Sequence, residues 1–250
     1  MTDISGANSE NAGTVALITG ANKGIGREIA RQLGARGITV LLGARDARRG
    51  EEAAAELRAG GADAHPVLLE VTDDASVQAA VATVTKEYGR LDILVNNAGI
   101  AIDDAPASQV SPDILRRTYD TNVFGLVAVT QAFLPLLKNS PAGRIVNLSS
   151  GLGSLTLNSD PNWDFAGVKP LAYNSSKAAV NMITVVFAAE LAGTTIKVNA
   201  ADPGYTATDM NRNQGTQTIE EGAQEAVRLA TLPGDGPTGG YYDKEGVQPW

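Results

Sequence analysis

The chain of 250 residues contains no cysteine. Disulfides, thiolate nucleophiles and cysteine-held metals are therefore excluded. Its single histidine, His65, precedes Pro66 at the expected start of a strand. With no second histidine or cysteine to join it, His65 reads as a structural or surface residue. No metal site and no Ser-His-Asp triad are expected. No apolar run approaches the roughly 20 residues of a membrane span, so no membrane partner is expected. Lys and Arg number 20 against 28 Asp and Glu, a net charge of -8, and no basic cluster stands out. Nucleic acid is accordingly not an expected partner. Met1 to Ala12 are polar and lack the charged-then-apolar layout of a secretory leader. Residues 1–13 are expected to be a flexible tail ahead of a single catalytic domain over 14–250, acting in the cytoplasm.

What the chain does have is alternation. Apolar runs near 14–19, 38–43, 65–70, 91–95, 143–148, 195–200 and 239–242 predict strands. Amphipathic stretches near 24–35, 46–59, 74–88, 112–138, 172–192 and 219–231 predict the helices between them. Strand-helix alternation with short gaps implies βαβ crossovers. The predicted fold is a single-domain Rossmann-type three-layer α/β/α sandwich with a doubly wound, mostly parallel, seven-stranded sheet.

The first strand runs into Thr19-Gly20-Ala21-Asn22-Lys23-Gly24-Ile25-Gly26, and a helix follows. Glycines allow a tight turn and close approach to a pyrophosphate, and the free amides of the helix start attract its charge. Taken alone, the turn is equally an ordinary strand-to-helix loop. The second strand ends at Ala44-Arg45-Asp46, where NAD-binding units carry an acid for the ribose 2′-hydroxyl. Arg45 instead suits a 2′-phosphate, and Lys23 adds a second cation, so NADP(H) is expected over NAD(H). Both could also be solvated surface charges. Asp46 reads as a helix N-cap, and Arg48 or Arg49 as helpers or exposed helix residues. Glu70 and Val71 fall at the carboxyl rim of the third strand. Asn96-Asn97-Ala98-Gly99 leaves the fourth strand at the same rim, where asparagine amides can lock loops and small residues leave room for a cofactor.

With Asn122, Ser150, Tyr173-x-x-x-Lys177 and Pro203-Gly204 following in order, the chain resembles the short-chain dehydrogenase/reductase family from about residue 14 onward. Asn22-Lys23-Gly24-Ile25-Gly26 and Ala44-Arg45-Asp46 make it most similar to the NADPH-dependent carbonyl reductases. The resemblance implies that Glu70-Val71 contacts the adenine, although the family usually has Asp where this chain has Glu70. It implies that Thr206 and Thr208 hold the nicotinamide carboxamide or a diphosphate oxygen, and that Pro203 and Gly204 also contact the cofactor. It also implies that Asn97, Ala98 and Gly99 line the cofactor.

Tyr173 and Lys177 lie four apart on one predicted helix, so their side chains can converge. A free phenol has a pKa of about 10. A neighbouring ammonium is expected to lower it toward the working pH. Ser149 and Ser150 both end a strand, and a hydroxyl there can stabilise charge developing on a carbonyl oxygen. The resemblance favours Ser150. Mid-helix Asn122 points to a local distortion, and in the family it anchors a proton relay through the lysine. Asn122, Ser150, Tyr173 and Lys177 are thus the expected catalytic set, with Tyr173 as general acid/base. The expected activity is reversible NADP(H)-dependent reduction of an aldehyde or ketone, equivalently an alcohol dehydrogenase. A non-catalytic NADP(H)-binding sensor or scaffold is the alternative.

The stretch from Ser150 to Tyr173 is longer than the family's usual separation by roughly ten residues, and such loops are often functional. Its Leu155, Leu157, Trp163 and Phe165 could wall an apolar pocket or merely cover the surface. Asn211 to Gly215 is expected to form a mobile flap over the substrate. The expected state is a monomer or homodimer.

Overall fold

The computed structural model describes residues 11 and 13–250. The expected tail over 1–13 lies almost wholly outside these residues. The strands are β1 (Val15–Thr19), β2 (Thr39–Ala44), β3 (Ala64–Leu68), β4 (Ile93–Asn96), β5 (Arg144–Leu148), β6 (Lys197–Ala201), β7 (Tyr241–Asp243) and β8 (Gly246–Val247). The helices are α1 (Gly24–Gly34), α2 (Ala47–Ala59), α3 (Asp74–Tyr88), α4 (Pro112–Tyr119), α5 (Leu126–Lys138), α6 (Leu155–Ser159), α7 (Leu171–Glu190) and α8 (Ile219–Ala230).

Side chains alternate across the pleat, and both faces of the sheet are covered. Ala16 and Ile18 of β1 join Ile29, Leu33, Leu57 and Val227 in one core, beneath α1, α2 and α8. Val15 and Leu17 of the same strand point the other way, toward Val77, Val84, Phe133 and Phe187 of α3, α5 and α7. That double burial explains why the strands read as nearly unbroken apolar runs. The strand order is β3-β2-β1-β4-β5-β6-β7-β8. The strand order therefore runs outward in opposite senses from the junction of β1 and β4, the crevice where open α/β sheets bind ligands.

Three details differ from the sequence expectation. The sheet has an eighth strand, because Asp243 Oδ1 accepts the amides of Glu245 at 2.8 Å and Gly246 at 3.1 Å, folding β8 back antiparallel on β7. At two residues it is too short for a periodic signal. The third strand stops at Leu68, and the Glu70 amide is satisfied by Ser76 Oγ at 2.9 Å instead of a ladder partner. Helix 112–138 is interrupted by a π-helical turn over Asp120–Gly125, so it is two α-helices joined by a bulge around Asn122. This run is also the one helix, among the described residues, long and apolar enough to cross a membrane. Half of its apolar window is buried, as befits a core helix.

Candidate active site

The glycine turn sits at the β1–β4 junction, and a neighbouring loop dictates its shape. Asn97 Nδ2 donates to the carbonyls of Thr19 at 2.8 Å and Gly20 at 3.2 Å. Thr19 Oγ1 accepts the amides of Asn97 at 3.0 Å and Ala98 at 2.9 Å. A Cβ on Gly26 would come within 2.4 Å of Asn97 Nδ2, and Gly20 holds a φ of +65° against Ala98. Both glycines are thus required by close approach and turn geometry. Asn97 acts here as the lock of the turn. Ile25 seals the turn against the core, and Asn22 stays partly exposed on its outer side.

The N-terminus of α1 has no side-chain cap and no acidic residue in its first turn. By contrast α2 is capped by Asp46, α3 by Asp73 and α8 by Thr218. Free amides at a helix start, beside Gly24, suit a bound phosphate. The donor set fits the pyrophosphate of the dinucleotide that the sequence implies.

At the far side Arg45 is exposed just beyond β2, and lines a cavity of about 540 Å³ with Leu68, Glu70 and Ser76. Glu70 accepts from Thr72, at 3.2 Å from its amide and 3.0 Å from its hydroxyl, while Val71 is buried at 7 % exposure. Arg48 pairs with Glu52 and Arg49 with Asp46, which leaves neither directed to a cofactor. Lys23 is engaged too, in a 2.8 Å ion pair with Asp209.

The catalytic candidates converge at the other end of the crevice. Tyr173 and Lys177 occupy the start of α7, and Lys177 Nζ lies 5.7 Å from the centre of the Tyr173 ring. Nζ donates to the carbonyl of Leu148 at 2.7 Å, at the end of β5. Ser150 follows that strand; its hydroxyl accepts the Leu152 amide at 3.2 Å and lies near the Tyr173 phenol. Ser149 instead points inward to Asn181, which separates the structural serine from the catalytic candidate. Asn122 is 1 % exposed. Its Oδ1 accepts the Ile100 amide at 2.8 Å, and its Nδ2 donates to Ile100 O at 2.9 Å and Ser176 Oγ at 3.0 Å. The π turn thus fastens the loop after β4 to the catalytic helix. A Cβ on Gly99 would meet both Asn122 Oδ1, at 3.4 Å, and Lys177 Nζ, at 3.7 Å. The two polar groups flank one small space beside Gly99.

The electrostatics depart from the simple expectation. Burial pushes the Tyr173 phenol up to about 12, the Ser150 hydrogen bond opposes this, and the nearby Asp202 carboxylate adds to it. Burial also pushes Lys177 down to about 8, opposed by Asp202. In the cofactor-free site desolvation is the largest influence on both groups.

The loop from Pro203 to Thr208 is strongly tied. Thr206 is 4 % exposed and donates to Pro203 O at 2.8 Å. Thr208 caps a short turn over Asp209–Asn211, in which Asn211 reciprocates. The expected flap, Asn211 to Gly215, begins in this turn, and Asn211 Nδ2 donates to Thr206 O at 2.8 Å. Trp163, Phe165 and Tyr205 form a chain of edge contacts with centroids 5.5 and 5.4 Å apart. Trp163 and Leu157 pack over Gly151, whereas Leu155 is 72 % exposed and points away.

Several supporting residues escaped sequence reading. Asp103 Oδ2 accepts the Ala172 amide at 2.7 Å, capping α7, whose own N-cap Pro170 has no side chain to do so. Asn96 donates to Asn147 and Thr130, and Asn147 to Thr184, each at 2.9 Å. This buried ladder joins β4, β5 and α7 behind the site. Of these, only Asn96 lay in a motif already read from sequence.

The short chain dehydrogenase family model matches residues 14–219. NADPH carbonyl reductase 3 of Mus musculus is 37 % identical, over 94 % of this chain and 98 % of its own. A (+)-neomenthol dehydrogenase of Arabidopsis thaliana is 35 % identical, over 96 % of this chain and 99 % of its own. The crystal structure of NADPH-bound carbonyl reductase from chicken fatty liver superposes with a TM-score of 0.83 at 29 % identity, covering 96 % of this chain and all of that one (100 %). The family-wide match spans both the glycine turn and the Tyr173–Lys177 helix, and the chain belongs to the short chain dehydrogenase family.

Proposed function

We propose that this protein is an NADP(H)-dependent carbonyl reductase whose proton donor is Tyr173. The observation that carries the reading is the meeting of Ser150, Tyr173 and Lys177 at the rim that also holds the uncapped start of α1. NADPH, when bound, supplies a hydride. The pyrophosphate would rest on the α1 amides and the 2′-phosphate near Arg45, with Lys23 in reach of the same side. The relatives named for NADPH support that preference.

The chain's own groups then account for the proton. A phenol held near 12 stays protonated at neutral pH, as a donor to a developing alkoxide must be. Ser150 orients that phenol and offers a second donor to the same oxygen. Lys177 is anchored by Leu148 O and stands between Tyr173 and the Asn122 space, the place of a proton route to solvent. The aromatic chain Trp163–Phe165–Tyr205 lies beside the Ser150 turn and favours an apolar, uncharged carbonyl compound.

The test is NADPH oxidation by absorbance, against apolar cyclic ketones, charged keto acids and aldehydes, with NADH in parallel. Ketone-dependent oxidation of NADPH faster than of NADH is expected. Tight NADPH binding without turnover across the panel would overturn the reading.

A further inference from the structure

We propose that Asp202 is a positioning residue of this site, whose carboxylate ties the Ser150 turn to the Pro203–Gly204 loop and holds a fixed negative charge toward the Tyr173–Lys177 pair. The inference rests on the carbonyl-reductase reading above.

Asp202 directly follows β6 and lies where four segments meet. Its Oδ1 accepts the Gly204 amide at 2.9 Å. The Gly151 amide, next to Ser150, lies near the carboxylate and favours its ionised form. The Tyr241 hydroxyl approaches Oδ2 at 3.4 Å. The Asp202 amide donates to Tyr242 O at 2.7 Å, which fixes its own backbone to β7. A Cβ on Gly151 would sit 3.1 Å from Asp202 Oδ2 and 3.2 Å from Trp163, so the insertion closes over the carboxylate. Tyr241 is in turn stacked under Trp250, with centroids 5.4 Å apart. The Trp250 carbonyl accepts the Thr156 amide at 3.0 Å, which brings the chain end onto α6.

Burial and the neighbouring Asp243 carboxylate push the Asp202 carboxyl up, while the Gly204 and Gly151 amides and the Tyr241 hydroxyl oppose this and suit the ionised form. The charges facing it come from three directions. From α7 they are Tyr173 and Lys177. From β7 and its hairpin they are Tyr241, Asp243 and Lys244, and from α8 they are Glu221 and Glu225. Asp243, Lys244, Glu221 and Glu225 line with Asp202 a cavity of about 30 Å³ on the side away from Ser150, space enough for water. Glu225 is already paired with Arg228, and Glu221 closes the Thr218 capping box. Lys177 is the buried cation that Asp202 can balance. Loss of the charge lowers both the Lys177 and the Tyr173 proton affinities, since Asp202 raises each.

The test compares wild type with Asp202→Asn, and with Asp202→Ser, which can still accept from Gly204 should the amide prevent folding. In ketone reduction with NADPH, kcat should fall about tenfold or more with KM little changed, and the basic limb should move down by about one pH unit. In the cofactor-free protein, the ¹³C-labelled Lys177 ε-carbon, assigned by its loss in Lys177→Arg, should titrate below the wild-type midpoint of about 8. A lower kcat with an unmoved limb and an unmoved Lys177 midpoint would make Asp202 merely structural and overturn the proposal. So would wild-type behaviour in both. A wild type inactive toward every carbonyl compound would overturn the functional reading instead, and the Lys177 titration would still decide for or against Asp202.

Discussion

The two ends of the crevice use cations in opposite ways. At the catalytic end Lys177 is 6 % exposed, and its environment is nearly dry. At the glycine turn the Lys23 side chain is 62 % exposed, and beyond β2 Arg45 stands in solvent. Desolvation therefore governs the first and shifts its proton affinity by more than two pH units, whereas water and salt screen the second. A buried cation is an instrument of chemistry, and an exposed one is an instrument of preference between cofactors. The same residue type takes either role according to depth alone.

The contrast is broken most directly at Tyr173. Tyr173→Phe removes the donor hydroxyl and keeps the ring that faces Lys177. Turnover should fall by about 10²–10⁴-fold, with NADPH affinity by fluorescence within about twofold of wild type. Retained turnover would remove Tyr173 from proton transfer. Loss of cofactor binding would mean that the two ends are not separable.

Depth also predicts a stability signature. Lys177 releases its proton near 8 in the folded protein and near its ordinary 10.5 once unfolded. Between those values the unfolded chain binds more protons, so wild-type stability rises with pH across the window. Below about 8 the burial penalty is fully present. Relative to Lys177→Met, which does not titrate, wild type should gain about 3 kcal/mol from pH 8 to 10.5, measured by urea melts. A constant difference across that window would show that Lys177 is not desolvated.

At the exposed end, Arg45→Asp should weaken NADPH about 10–100-fold and NADH by no more than a few-fold. Added salt should erode the wild-type preference as screening grows. Equal losses for the two cofactors would take Arg45 out of the phosphate site.

How much of this was legible follows the same division by distance. The glycine turn, the Asp46 cap and the Tyr173–Lys177 pair are local, since their partners lie within a few residues and leave a spacing to read. Asn122 was visible as an oddity in an apolar helix, and the π turn is its structural cause. Asp103, Asn147 and Asn181 carry no spacing signal, because their partners lie tens of residues away on other elements. The choice between Ser149 and Ser150 depended on which side of β5 each hydroxyl faces once α7 is docked. The eighth strand exists only because Asp243 ties the hairpin. The insertion divided by residue, with Trp163 over the site and Leu155 in solvent, which apolar character alone could not foretell.

The smallest effect is the sharpest test of the exposed end. Lys23, expected on the 2′-phosphate, is paired with Asp209, 186 residues away in sequence. An anion on NADPH must compete with that carboxylate for Lys23, and an exposed pair of this kind is weak. Asp209→Asn frees Lys23 without moving the turn that Thr208 and Asn211 close. NADPH should then bind tighter by at most about fivefold, NADH should be unaffected, and the gain should vanish at high salt. Weaker NADPH binding would mean that the ion pair serves as a clasp across the crevice and that Lys23 does not meet the phosphate. A large gain persisting in salt would contradict the contrast itself, because only a desolvated charge can act that strongly.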